Sequence, residues 1–330
     1  MADKREGYKN IQKQYRKQFL ELLEELEGNY QDISEKLKNK IRNTALDYAK
    51  ADGTFSKADI DRIKRELSNH SSWLASEMKD FLDENIKESA SIAIRGQDDA
   101  TEYLLQQLAS QEGIEKLVDN ALQGVNDDSI LLQVRYGNGL QEQVRQAVWN
   151  SRWADDSKKL SDRIWDIKEY TDQGLQDMIE QSVNQGKSAA EFSRAVEEFL
   201  EESGPSWTTG IKPSVTGRGS IDYNALRLAR SETQNAYRRS QKLSAQKSTV
   251  TKAIKWNLSN SHPTYPPSYS YKGYNEICNY MAEDNHHNLG AGVYPPDEIP
   301  ITPHPQCMCY WTDVLYKDDE LINKLKEKYS

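Results

Sequence analysis

The residues of this sequence best equipped for chemistry crowd toward one end. Cys278, Cys307 and Cys309 are its only cysteines, and His262 and His304 are two of its five histidines. Thiolate and imidazole are the donors that suit tetrahedral zinc. On a strand, Cys307 and Cys309 point to the same side, so one ion could take both. A small, loop-rich domain gains most from such a cross-link. The spacing is Cys-x-Cys, however, and Cys278 has no cysteine near it in sequence. Buried reduced thiols beside hydrogen-bonding histidines are therefore the other reading.

A second chemistry is the recognition of anions. Arg227, Arg230, Arg238, Arg239, Lys242, Lys247, Lys252 and Lys255 fall within residues 223 to 256, where Glu232 is the only acid. Such a stretch could follow a nucleic-acid backbone by Coulomb attraction, with the first six as contacts. It could equally dock on an acidic part of the same chain. Glu232, two residues from Arg230, is expected to pair internally and orient an arginine. A catalytic role is its alternative.

These side chains need elements to hold them. From Asp222 to about Lys247, Leu226, Ala229, Thr233, Ala236, Ser240 and Leu243 recur at three and four, which predicts a helix with a narrow seam and Asp222 as its cap. Beyond Trp256, prolines and aromatics predict short strands and ordered loops, with a strand over Cys307 to Val314. Gly290 and Gly292 make no dinucleotide loop, because Pro295-Pro296 follows where a helix should begin.

The first 204 residues contain no proline and read as successive helices. The apolar stripe from Ile11 to Tyr48 has an interruption expected at Gly28-Asn29. The next helix is capped by Ser56 with Asp59 placed for a reciprocal contact. Further helical patterns surround Tyr103 to Leu108, Ile114 to Leu122 and Gln141 to Trp149, and Ser161 to Met178 follows. A final one starts at Ser188 with Glu191 in the capping-box position. Asp52-Gly53-Thr54 is no calcium loop, since Tyr48 and Lys50 stand where carboxylates are required. His70 falls on an apolar face as a packed histidine. Glu21, Glu24, Glu25 and Glu27 read as a solvated face.

The chain has 330 residues, 36% hydrophobic and 29% charged, with a mean hydropathy of -0.87. That excludes a membrane channel, and no run of about 18 apolar residues could span a bilayer. Three cysteines and a charged start point to a protein made in a cytosol. Residues 1 to 205 hold 28 Lys and Arg against 40 Asp and Glu, and residues 206 to 330 hold 15 against 12. All ten prolines lie at or beyond Pro205. The expected fold is therefore mainly α. An elongated N-terminal helical assembly region (1–204) and a Gly/Pro/Ser/Thr linker (205–221) precede a small α+β domain (222–330) with a basic helix, short strands and the Cys/His cluster.

Several strings together resemble the tailed-phage minor head protein family typified by phage Mu protein F. They are Ser261-His262-Pro263, Cys278, Gly290-x-Gly292-Val293-Tyr294-Pro295 and Pro303-His304-Pro305-x-Cys307-x-Cys309. Ala229-Arg230-Ser231-Glu232-Thr233-Gln234-Asn235-Ala236-Tyr237 is similar to that family's Arg-Thr-Glu-Thr helix, with Ser231 in the threonine place. Asp162-Arg163-Ile164-Trp165 and Gly186-Lys187-Ser188 are similar to what often precedes it. The resemblance covers about residues 160 to 315. It implies a low-copy virion component made in the bacterial cytoplasm and placed near the portal, the capsid proteins and packaged double-stranded DNA. It implies no catalytic residue and no membrane segment. The enzyme alternative is a ribonuclease, with His262 as general acid or base, Arg230 stabilising the phosphorane and Glu232 orienting it. A zinc-stabilised nucleic-acid-binding module is the third reading.

Overall fold

A computed structural model describes residues 4–109, 114–123, 139–152, 157–201, 221–260, 277–301, 304 and 307–329. The fold is mainly α, with a small three-stranded antiparallel sheet near the C-terminal end. In order, the helices are α1 (Lys4–Asp47), α2 (Ile60–Ala109), α3 (115–123), α4 (Gly139–Asn150), α5 (Leu160–Gln185), α6 (Ala189–Glu201) and α7 (Ile221–Lys247). Then come β1 (Thr251–Asn257), α8 (Ile277–Glu283), β2 (Val293–Tyr294), β3 (Tyr310–Leu315) and α9 (Asp318–Tyr329). Among the described residues, no helix is long and apolar enough to cross a membrane.

The chain forms two compact units, each assembled from separate segments. One comprises Met1–Leu22, Ile86–Val148 and Ser231–Ser330, and the other Leu23–Asn85 and Trp149–Arg230. Neither coincides with the expected segments 1–204 and 222–330. The linker itself lies outside the described residues, except for residue 221.

The second unit is built from helical stripes. Tyr30, Ile33, Leu37 and Ile41 on α1 are buried at steps of three and four, as are Ile63, Leu67, Ser71, Leu74 and Met78 on α2. α1 runs unbroken through Gly28, where a side chain would meet nothing within 4 Å. A lone glycine costs a helix only about 1 kcal/mol, so the surrounding stripe overrides it. Ser56 accepts from the Ala58 N–H (3.2 Å) and opens a short 3-10 turn, Lys57–Asp59, that leads into α2. The capping box before α6 forms as expected. Glu191 accepts from the Ser188 N–H (2.8 Å), and the Glu191 N–H donates to Ser188 Oγ (3.3 Å). Asp222 is not at the cap position. It lies in the first turn of α7 and accepts from Tyr30 Oη (3.0 Å) and Ser34 Oγ (2.8 Å).

Asp52 makes a tight turn, accepting from the Thr54 N–H (2.9 Å) while Gly53 takes φ +81. His70 Nε2 lies 2.8 Å from Thr44 Oγ1, a half-buried packed histidine as expected. Glu21, Glu24, Glu25 and Glu27 are all exposed, as a solvated face requires. Burial lowers the proton affinity of half-buried Arg230, and the charges of Glu27 and Glu24 offset this only in part.

The first unit holds the sheet, in the order β2-β1-β3. One core joins α1, α2, α3 and α9 through Tyr8, Leu104, Leu108, Val118, Leu321 and Leu325. The helical region expected around Tyr103 to Leu108 is the end of α2. A second core lies against the sheet, where Ile254, Trp256, Tyr294 and Trp311 enclose the three cysteines.

Candidate metal centre

Two segments bring the cysteines together. α8 carries Cys278, and the segment 307–309 that leads into β3 carries the other two. All three are buried, and their sulfurs lie within 4.8 Å of one another, close enough to hold a metal ion. Cys278 Sγ is 3.4 Å from Cys307 Sγ and 3.2 Å from His304 Nε2. Ligands at ordinary zinc bond lengths and tetrahedral angles stand about 3.4 to 3.8 Å apart, so the donor set fits with little movement. His262, the fifth expected ligand, lies outside the described residues.

Cys307 and Cys309 do share a side, but the strand starts only at Tyr310. Arg238 explains the difference. It is 1% exposed, and its guanidinium donates to Cys309 O (2.6 Å), Cys307 O (3.1 Å), Cys307 Sγ (3.1 Å) and Ile301 O (3.0 Å). Carbonyls that a ladder would have used are thus tied to a side chain of α7. The guanidinium also lies 5.3 Å from the Trp256 ring centroid and 6.0 Å from that of Trp311. Both distances fall within the range of cation–π attraction.

Arg238 also contributes to the electrostatics of the cluster. Burial pushes the Cys307 thiol up, but hydrogen bonds from Cys278 and Cys309, the Arg238 charge and His304 outweigh it and bring it well down. Cys278 moves the other way, chiefly because it donates its proton to Cys307 and Cys309. The centre therefore holds thiolate character at Cys307, the form that binds metal.

Gly292 belongs to the same construction. At φ +69 it hands its carbonyl to the Trp256 N–H (2.7 Å), and a Cβ there would sit 2.6 Å from Ala282 O. Only glycine lets β2 lie this close to α8.

The expected nucleic-acid contacts fare unevenly. Arg238 does not serve, since its fork is inside the protein, as just described. Lys242 is half-buried and donates to Ile299 O (3.2 Å). Arg239 is also half-buried, its proton affinity lowered by burial and partly restored by Glu232. Lys247 is exposed, and Arg227 and Arg230 are half-buried. Glu232 is 1% exposed and accepts from Asn235 Nδ2 (3.0 Å), and its charge acts on Arg239.

A buried polar network went unread in the sequence. Asp313 on β3 accepts from Tyr8 Oη (2.5 Å), Gln12 Nε2 (2.8 Å) and Thr251 Oγ1 (3.3 Å), and Gln97 Nε2 donates to Tyr8 Oη (2.9 Å). Burial raises the Asp313 carboxyl despite these donors. Beside it lies a cavity of about 270 Å³, lined in part by Arg16, Gln234, Tyr237, Cys309 and Tyr310, with the Arg16 guanidinium 3.3 Å from the Tyr310 ring centroid. An acid at a strand position was the one available signal; its partners Tyr8 and Gln12 lie some three hundred residues earlier. No protein-family model, curated protein or solved structure matches this chain.

Proposed function

We propose that this chain is a minor head protein of a tailed phage. In this reading it is a low-copy, non-enzymatic virion component that bridges portal, capsid and packaged double-stranded DNA during head assembly or DNA delivery. One observation carries the reading: Arg238 links two of the separate strings on which the family resemblance rests. It stands one residue beyond the string that ends at Tyr237, and its guanidinium holds the segment containing Cys307 and Cys309. Those thiols meet Cys278 and His304. Strings scattered over eighty residues thus serve one structural module. Burial of Glu232 favours a structural role over the ribonuclease.

Zinc suits the module. Cys278, Cys307, Cys309 and His304 would hold it, and it would supply a structural cross-link. Three thiolates around Zn²⁺ leave one negative charge, which the buried Arg238 neutralises. Within the basic stretch 223 to 256, exposed Lys247 and Lys255, not Arg238, are available to meet DNA phosphates, and that binding should weaken with salt.

The test is mass spectrometry of purified heads and procapsids of the phage that encodes the chain. The protein should be present at far fewer copies than the major capsid protein. Absence from both, together with cleavage of free RNA by the purified chain, would favour the ribonuclease. For the metal, elemental analysis should find about one zinc per chain bound at the cysteines, and a chelator should lower the melting temperature of the sheet-bearing unit.

A further inference from the structure

The loop that follows α8 contains a second group of metal-binding side chains, separate from the cysteines. His286, His287 and Glu298 each offer one ligand atom, and these atoms lie within 4.8 Å of one another. We propose that they form a site for a divalent transition-metal ion with mixed imidazole and carboxylate ligation, such as zinc, cobalt or nickel.

The loop is built to hold its histidines in place. Asn285 Oδ1 accepts from the Gly290 N–H (2.8 Å), the Asn288 N–H donates to Asn285 O (3.0 Å), and the Gly292 N–H donates to Asp284 O (2.8 Å). The third ligand rides on a turn fixed by Pro295, whose carbonyl accepts from the N–H groups of Glu298 (3.0 Å) and Ile299 (3.2 Å). The two imidazole centroids stand 3.6 Å apart, with the Tyr294 ring edge-on to both.

Two details point to an ion. The first is His287 Nε2, which is buried and makes no hydrogen bond; the carboxylate of Glu298 faces it at 3.7 Å. That gap is too long for a hydrogen bond but close to the separation of two ligands on one metal. A buried polar atom without a partner is costly, and a metal bond would satisfy it. The second is the Asp284 carboxylate, which is bonded to His286 Nδ1. A carboxylate in that position orients a ligating imidazole and raises its basicity. Imidazole and carboxylate ligands suit zinc, cobalt or nickel. With three protein ligands the ion would keep a fourth position open to water or to a group from a partner.

The full-length chain, stripped of metal, is titrated with cobalt(II) and followed by calorimetry and absorbance. Thiolate ligation produces an intense sulfur-to-metal charge-transfer band, whereas imidazole–carboxylate ligation produces only weak d–d absorption. The expected result is an ion that binds without the thiolate band. His287→Ala should weaken that ion by about ten- to a hundredfold and leave any thiolate band unchanged. Glu298→Gln alters an exposed side chain and should weaken it in the same direction with the fold intact. Cys307→Ser should leave it bound, so a failure of the cysteine centre and a failure of this site read differently. If cobalt binds only with the thiolate band, or if the band-free ion is indifferent to both the His287 and Glu298 variants, the proposal is wrong.

Discussion

The all-helical unit and the sheet-bearing unit are stabilised in different ways. In the former, buried Leu, Ile and Phe stripes carry the structure, and ion pairs such as Lys38–Glu201, Arg42–Glu197 and Lys64–Glu180 join partners of which at least one is well exposed. Pairs of that kind are worth about 0–1 kcal/mol each. In the sheet-bearing unit, buried charges sit at the centre: Arg238 among backbone carbonyls, Asp313 under Tyr8 and Gln12, and Glu232 beside Asn235. Apolar contacts are many and interchangeable, so a stripe tolerates small changes. A buried charge accepts one arrangement of partners, which makes the region specific and brittle.

The most severe test of this contrast is Arg238→Met. It removes the donors of three carbonyls and should cost about 4 kcal/mol in urea unfolding, with the cysteines becoming reactive toward a disulfide thiol reagent. Unchanged stability and still-protected thiols would dissolve the contrast. Leu67→Ala, a change in the helical stripe, should cost about 3 kcal/mol by the same measurement yet leave the cysteines protected.

Asp98, on the α2 segment of the sheet-bearing unit, sharpens the comparison through pH. Burial, and then neighbouring Asp99, push its carboxyl up to about 6. Its folded state therefore holds the proton more tightly than the unfolded chain does. The resulting stabilisation is present below about pH 4 and is lost as pH rises through about 6. Asp98→Asn should be more stable than the parent at pH 7 by about 3 kcal/mol, since a tenfold change in proton affinity is worth about 1.4 kcal/mol. The difference should vanish near pH 4, as read from urea midpoints across the range. The smallest effect belongs to the capping box: Ser188→Ala should cost about 1 kcal/mol in thermal unfolding, because it orphans the Glu191 N–H.

Much of the helical architecture was legible because helix formation depends on neighbours within a few residues. The stripes of α1 and α2, the Ser188–Glu191 box and the extent of α7 to Lys247 all follow from local spacing. Gly28 misled for the same reason: a local weakness was overruled by the stripe on either side. The pairing of Cys307 with Cys309 was legible, because two-residue spacing puts both on one side whether or not the ladder has begun.

What the sequence by itself determined, then, was where helices form and which residue types could ligate a metal. The tertiary structure alone decided which charges face water. Arg238 and Arg239 are adjacent and identical in type, yet the first is sealed among the carbonyls of residues 301 to 309 and the second is half-buried near Glu232. The meeting of His287 with Glu298, and of Asp313 with Tyr8, was decided in the same way. A side chain's charge is a property of the residue. Whether water, a carbonyl or a metal satisfies it depends on chain that folding brings from elsewhere in the sequence, and spacing carries no record of that.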